Sequence, residues 1–352
     1  MFHSTTGDFI GSKVCALDKM AMASGLPATQ QCHDDASIGS PLAAHIDSAI
    51  PPPAGSPGII ISQSELYWNS MNFYKFTVDW ATPANSVYSS AIRVPLSTRL
   101  YPSCENAAIY SVCAPQKGTT QLLDTLSGRL LKHLTYRNFG THGGLVANTA
   151  IPRDFARNGV GAQPFWAEFR VSSTTGAITK FQEGAYSPDA AFRFMASVAF
   201  DSKGNIGIGF THTSATDFPG IRVAGRNVED AVGTMRSELT MFTGTGSQID
   251  GLYRWGDYSS LSLDPADNCT FWYTTEVRAR MLCILPMCWS MCLTGMCYPR
   301  CFSLYCCVMV CVCEYFVCGA RGSYCATCYL NVCACIRISQ LRHTRSSPSA
   351  VY

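Results

Sequence analysis

The sequence predicts an all-β protein whose β-rich body is followed by an unrelated cysteine-rich tail. Residues 1–277 are rich in Gly, Ser, Thr and aromatic residues, in short alternating runs separated by turn signals. A strand–turn–strand unit recurs within this body. Residues 278–352 hold 14 of the 19 cysteines and contain no Lys, no Asp and one Glu. We therefore place the boundary between the body and the tail between residues 277 and 278.

Several elements of the body can be predicted in order. Residues 43–57 are proline-rich and predict a surface loop, residues 76–80 predict a strand, and residues 82–86 predict the turn after it. Residues 120–134 form the one helix-like stretch. The run FWAEFRV at 165–171 alternates. Its odd-numbered side chains (Phe165, Ala167, Phe169 and Val171) are expected on one face of a strand, and its even-numbered side chains (Trp166, Glu168 and Arg170) on the other.

The strongest signal is an internal repeat. Residues 197–211 (SVAFDSKGNIGIGFT) align without a gap on residues 260–274 (SLSLDPADNCTFWYT), at an offset of 63. Each copy predicts two strands joined by a turn that Asp201 or Asp264 caps, and this capping explains the acidic residues better than a calcium loop does. Cys269 occupies an apolar position and is expected in the core. A fainter third copy is placed at residues 143–148, at an offset of 53.

A hairpin that recurs at this spacing, with further strands between copies, is typical of β-propeller blades with four strands. Four or five such units fit in residues 1–277. The body starts and stops inside a predicted unit, so we expect an incomplete array and a true beginning that lies further upstream. The first residues lack the features of a signal peptide.

Charge and cysteine content limit the function classes. The body carries 19 basic and 23 acidic residues, so nucleic-acid binding has no support. Two cysteine pairs flank loops, and pairing as disulfides would indicate secretion, whereas the alternative is buried free thiols. These pairs are Cys15 with Cys32 and Cys104 with Cys113.

The tail allows three interpretations. Its composition and its abrupt start within a strand-like run favour translated non-coding or out-of-frame sequence, which would be non-native or disordered. Residues 281–297 and 301–320 are apolar enough to be borderline membrane spans, with palmitoylated cysteines nearby as a further anchor. The pairs at 325/328 and 333/335 resemble metal ligands, but their irregular spacing argues against a zinc module.

Catalytic candidates follow from the repeat. An arginine precedes the first apolar strand of each copy, and several arginines that converge on a central channel could hold a carboxylate. Nearby acidic and phenolic groups could supply acid–base or nucleophilic chemistry. The alternative is that each arginine braces a loop. The candidates are Arg137, Arg193, Arg254, Glu183, Tyr186, Asp189, Asp257 and Tyr258. No motif for a metal or an organic cofactor is present, so none is expected.

Five segments of the body resemble a family of uncharacterised secreted β-propeller proteins that are related in architecture to sialidases. They are GSKVCALD (11–18), CAPQKGTTQ (113–121), LTYRNFG (134–140), EGAYSPD (183–189) and RWGDYSSLSLDP (254–265). The resemblance covers residues 7–276 and implies an extracellular location. The sequence has no Ser-x-Asp-x-Gly-x-Thr-Trp motif of true sialidases.

These observations favour a non-enzymatic extracellular propeller that binds a glycan or a protein. The alternatives are a sialidase-like glycoside hydrolase and a membrane-tethered propeller anchored by the tail. Catalysis predicts that Arg137, Arg193 and Arg254 converge in one cleft, whereas a scaffold predicts that they are dispersed.

Overall fold

The computed structural model of the chain describes residues 6–64, 67–104, 109–154, 160–281, 311–312 and 328–338. Strands account for 48% of it and helices for 3%, which confirms the all-β prediction. The two borderline membrane segments of the tail lie almost wholly outside these residues. Within the described part, no helix has both the length and the apolar character needed to cross a membrane.

The N-terminal part forms a small hairpin and then an antiparallel meander. Strands β1 (Ser12–Leu17) and β2 (Gln30–Asp35) pair with each other, and the short helix α1 (Lys19–Ala23) lies in the connection between them. The Cys15–Cys32 disulfide joins two residues that lie directly opposite each other in this pair. The first meander then runs through β3 (Leu42–Ile46), β4 (Gly58–Gln63), β5 (Ser70–Thr77), a 3-10 turn (Pro83–Asn85), β6 (Val87–Tyr88) and β7 (Ile92–Pro95). The predicted loop at 43–57 therefore begins inside β3, and the predicted strand at 76–80 is only the end of β5.

A second meander continues the same sheet. After the short pair β8 (Val112–Ala114) and β9 (Leu123–Asp124) come β10 (Leu130–Asn138), β11 (His142–Asp154), β12 (Val160–Ser172) and β13 (Ile178–Ala185). Because β10 pairs in parallel with β3, the two meanders form one nine-stranded sheet that curls into a half-barrel.

The helix predicted for residues 120–134 is wrong. The short strand β9, a bend and the first half of β10 occupy this segment. Leu126 and Gly128 have φ angles of 48° and 78°, in the left-handed region that a right-handed helix cannot contain. The leucines are spaced as in a helix, but Leu123 and Leu131 reach the core from strands and Leu126 reaches it from the bend between them.

The repeat forms the third and fourth meanders. The third contains β14 (Phe192–Phe200), β15 (Ile206–Thr213), β16 (Gly220–Arg226) and β17 (Leu239–Phe242), and the fourth begins with β18 (Ser260–Leu263) and β19 (Phe271–Met281). In the sheet of the fourth meander, β19 pairs with β21 (Cys328–Ile338), and β21 also pairs with β20 (Cys311–Val312).

Both predicted hairpins are confirmed, together with their turn chemistry. Asp201 Oδ1 accepts hydrogen bonds from the backbone of Lys203 and Asn205, and Asp264 Oδ1 accepts one from Ala266. The second turn is the longer one, since Phe200 pairs with Ile206 but Leu263 with Phe271. Cys269 consequently lies in the turn, partly exposed, and not in the core as expected.

The third copy predicted at residues 143–148 is wrong in its alignment. Leu145 lies on β11, the second strand of its hairpin, whereas the offset of 53 matched it to Val198 on the first strand, β14. The structural neighbour of Val198 is Thr135 of β10, whose hydroxyl donates to the Val198 carbonyl at 3.1 Å. An offset of 63 therefore also relates the second meander to the third.

The first strands of the four meanders lie side by side. The hydroxyl of Thr135 joins β10 to β14 as above, and Ser197 Oγ accepts a hydrogen bond from the Leu261 amide at 2.8 Å, which joins β14 to β18. After β3, the Asp47 carboxylate accepts from the Leu263 amide at 3.4 Å and links β3 to β18. We call β3, β10, β14 and β18 the first strands.

The core occupies both faces of the long strands. Phe165, Ala167 and Phe169 belong to the cluster inside the half-barrel, while Trp166 packs in the cluster against β14 and β15. The predicted alternation of β12 is confirmed, and both faces are covered by protein. Glu168 on the second face is buried and bonds with Arg170 and Gln182.

Candidate functional site

The three candidate arginines do not share a cleft. Arg137 lies near the end of β10, whereas Arg193 lies at the start of β14. Thr135 lies beside Val198, so Arg137 lies beside Phe200 at the far end of β14 from Arg193. At roughly 3.3 Å per residue, the two arginines are about 20 Å apart along the strands. The Arg137 guanidinium donates to the Asp47 carbonyl at 2.9 Å and to Asn268 Oδ1 at 3.2 Å. Arg137 therefore braces the turns after the first strands.

Arg193 is the centre of a buried ion cluster. Its side chain is 0% exposed, and its guanidinium donates to Glu238 through Nε and Nη2, both at 2.8 Å. It also donates to Asp189 through Nη1 at 2.7 Å and Nη2 at 2.9 Å. Tyr186 joins the cluster because its hydroxyl accepts from the Glu238 amide at 2.8 Å. Three predicted residues, Tyr186, Asp189 and Arg193, thus meet here.

The ionisation of this cluster follows from those contacts. The hydrogen bond from Arg193 holds the pKa of Asp189 well below its usual range, although partial burial acts in the opposite direction. Burial alone would lower the pKa of the Arg193 guanidinium, but the bonds to Glu238 and Asp189 outweigh burial and raise it. Asp189 and Arg193 are therefore both charged at neutral pH.

His212, which lies in no metal-ligand motif of the sequence, gives this cluster a set of metal-like ligands. Ligand atoms of Asp189, His212 and Glu238 lie within 4.8 Å of one another. However, the Arg193 guanidinium already bridges the two carboxylates, so a cation there would meet a fixed positive charge. Burial, with the charges of Arg222 and Arg193, lowers the pKa of His212. The arrangement is that of a structural ion cluster, in which Arg193 already supplies the positive charge between the two carboxylates.

Arg254 and Asp257 form a separate site at the start of β18. They make a salt bridge in which the side chain of Arg254 is 62% exposed and that of Asp257 is 14% exposed. Behind them, the Glu276 carboxylate of β19 accepts a hydrogen bond from the Gly256 amide at 2.8 Å. Arg278 ion-pairs with Asp250, at 2.7 Å. Sequence reasoning missed Glu276 because it lies a hairpin away from the motif.

Two carboxylates of this site hold protons more tightly than free ones. Burial raises the pKa of Asp257, against the charge of Arg254. Burial also raises the pKa of Glu276, against the Gly256 hydrogen bond and the charge of Arg278, and the negative charge of Asp257 adds to the rise. Groups with raised pKa values and an adjacent arginine suit proton exchange or polar recognition.

The loop that carries this site is rigidly anchored and presents exposed aromatic rings. Trp255 is buried, and its indole Nε1 donates to Thr211 Oγ1 at 3.2 Å. The Tyr253 carbonyl accepts from the Asp124 amide at 2.8 Å. Tyr253 is 40% exposed and Tyr258 is 52% exposed. We call residues 250–259 the recognition loop, since it combines exposed phenols with an exposed arginine.

Glu183 lies outside both clusters. Its carboxylate accepts from Lys180 Nζ at 2.8 Å and from the amides of Ser97 and Thr98 at 3.0 and 2.6 Å. Burial acts to raise the pKa of Glu183, but these hydrogen bonds outweigh burial and lower it. Glu183 therefore pins the loop after β7 onto β13 and is not placed for catalysis with the other candidates.

Of the cysteines in the body, the structure joins Cys15 to Cys32 and Cys104 to Cys113. These are the pairs that the sequence suggested. Compared with known proteins, the chain matches no family model, and no curated protein is significantly similar to it. Its function must therefore be argued from the arrangement of its own residues.

Proposed function

We propose that this chain is a non-enzymatic extracellular binding module of the β-propeller type, and that it binds a glycan through the recognition loop. One observation carries the proposal: the candidate arginines are engaged separately within the chain. Arg137 binds Asp47 and Asn268, Arg193 binds two carboxylates, and Arg254 binds Asp257. No common cleft of arginines is formed among the described residues, and this dispersal is what a scaffold predicts.

The propeller part of the proposal is supported by strand order. Each of the second and third meanders contains four sequential antiparallel strands, and the first strand of each lies beside the first strand of the next. Innermost strands around the axis of a propeller have this relation, with the later strands of each blade further out. The two disulfides support an oxidising, extracellular compartment.

The recognition loop supports a glycan as the ligand. A sugar ring presents a C–H face that packs on a phenol and hydroxyl groups that hydrogen-bond to charged side chains. Tyr258, Arg254 and Asp257 offer both kinds of contact from one anchored loop. Anchoring matters because a loop that is ordered before binding loses little entropy when the ligand arrives.

The test is binding of the full chain to an array of neutral and sialylated oligosaccharides. We expect retention by a subset of glycans, lost in Tyr258→Ala and kept in Tyr67→Ala. Tyr67 is a matched control because its 48% exposure is close to that of Tyr258, and it lies in the first meander. Retention on no glycan, or equal loss in both variants, would overturn the glycan assignment, and a protein ligand would become the candidate.

A glycoside hydrolase is the second candidate, because Asp257 and Glu276 are two carboxylates with raised pKa values near one loop. Its test is release of 4-methylumbelliferone from the 4-methylumbelliferyl glycoside of N-acetylneuraminic acid. Catalysis predicts turnover that Asp257→Asn abolishes. Binding without catalysis predicts no turnover by either protein.

A further inference from the structure

A concave site lies at the opposite end of the first strands from the recognition loop. It is a cavity of about 320 Å³ between the proline-rich loop after β3 and the adjoining ends of β10, β11 and β12. Its apolar wall includes Ile46, Pro52, Ile59 and Val171. A volume of this order accepts a molecule of one or two rings.

The roof of the cavity is held in place by hydrogen bonds from β10. The Asp47 amide donates to the Tyr136 carbonyl at 2.9 Å, and Asn138 Nδ2 donates to the Pro51 carbonyl at 2.7 Å. Proline has no amide hydrogen, so Pro52, Pro53 and Pro57 add no backbone donor to the lining. The cavity is thus preformed and largely apolar.

Lys75 is the only charged residue in the lining, which contains no Asp or Glu. Its ammonium donates to the Gly176 carbonyl at 2.8 Å, and no carboxylate lies within ion-pair distance of it in the part of the chain that the structure describes. An ammonium has three donors, so two remain for a ligand. Because burial of an unpaired charge is costly, an anion that enters the cavity would be stabilised as the counter-ion of Lys75.

Tyr136 adds a second polar group to the same lining. It is buried, and no protein hydrogen bond to its hydroxyl is found among the described residues. Burial raises the pKa of Tyr136, so the phenol keeps its proton and can donate. A cation and a neutral donor set in an apolar wall match a carboxylate on a flat hydrocarbon body.

We propose that this cavity binds a small aromatic carboxylate, with Lys75 as the counter-ion of the carboxylate and the proline-rich loop packed over the ring. The site is separate from the recognition loop and does not depend on the glycan proposal. Charge complementarity selects the acid over its neutral amide, because the apolar wall serves both equally.

The test is equilibrium dialysis of the full chain against 2-naphthoate and, in parallel, 2-naphthamide. We expect saturable binding of naphthoate, with naphthamide at least about tenfold weaker, the factor that a charge-assisted hydrogen bond supplies. Lys75→Met is expected to remove this preference and Lys75→Arg to retain it. Lys203→Met is the matched control, since Lys203 is exposed and outside the lining.

A second measurement keeps the proposal falsifiable if Lys75→Met does not fold. Wild-type protein is acetylated with acetic anhydride with and without naphthoate, and peptide mass spectrometry compares Lys75 with Lys203. Protection of Lys75 alone supports the site. Equal affinity for acid and amide, naphthoate binding unchanged in a folded Lys75→Met variant, or no protection of Lys75 overturns it.

Discussion

The Arg193 cluster gives the sharpest energetic prediction. The change is Arg193→Met, which keeps the apolar stem and removes a guanidinium whose side chain is 0% exposed. Glu238, at 16% exposure, is then left without its main partner, while Asp189, at 55% exposure, can be solvated. Removing one partner of a buried ion pair costs about 3–5 kcal/mol, so we expect a loss of that order in the free energy of unfolding.

Variants of the two carboxylate partners provide the comparison for this loss of stability. Asp189→Asn is expected to cost at most about 1 kcal/mol, because the Asp189 side chain is 55% exposed and water screens its charge. Glu238→Gln should fall between the two. The double variant Arg193→Met/Glu238→Gln should destabilise less than the sum of its single changes, because no unpaired buried charge remains.

The assay is urea unfolding at pH 7, with Arg254→Met as the control arginine. The Arg254 side chain is 62% exposed, so its loss should change the unfolding free energy by less than about 1 kcal/mol. The reasoning is refuted if Arg193→Met lies within about 1 kcal/mol of wild type, or if Asp189→Asn costs as much as Arg193→Met.

Three further outcomes follow. Gly209→Ala should destabilise the protein by about 1–3 kcal/mol, because the new Cβ would lie 2.6 Å from the Tyr273 ring. Gly58→Ala is the control and should destabilise much less, because its new Cβ would have its nearest contact at 3.6 Å. Thermal unfolding of the two variants makes the comparison. Ser197→Ala should cost about 1–2 kcal/mol in urea unfolding, because it leaves the Leu261 amide between β14 and β18 unpaired, and the exposed Ser202→Ala is its control. Burial lowers the pKa of His133 to about 4. The stability that the neutral imidazole contributes is therefore complete above the unfolded-state pKa of about 6.5, and it should be lost as the pH falls from about 6.5 to about 4. His133→Phe should flatten this pH dependence of the unfolding free energy, and an unchanged pH profile in that variant would contradict the assignment.

The repeat was the most predictable part of the fold. Asp201 and Asp264 specify their turns locally, so two hairpins could be predicted from residue type and spacing alone. The alignment of the second meander failed because β10 ends in Arg137 and Asn138 where the other copies have an apolar residue and Asp, and the apolar pattern of β11 was the stronger signal. The leucines of residues 120–134 misled for a different reason, since left-handed backbone at Leu126 and Gly128 cannot be predicted from apolar spacing.

The candidate sites were predictable only where their residues are close in sequence. Tyr186, Asp189 and Arg193 meet because one short segment contains them, as do Arg254 and Asp257. His212 and Glu276 come from later strands of the same sheets, and Glu238 immediately precedes β17, so their partners are set by strand register. Lys75 and Tyr136 belong to different meanders, and only the parallel pairing of β3 and β10 places them in one cavity.

The most direct test of the proposed function measures binding and turnover on one sample. A sialylated or neutral oligosaccharide retained on the array is titrated into the full chain by calorimetry, and the recovered sugar is analysed by mass spectrometry. We predict saturable binding with the oligosaccharide recovered intact, and loss of the binding heat in Tyr258→Ala. Cleaved oligosaccharide from the wild type, absent with Asp257→Asn, would contradict the account and establish a hydrolase.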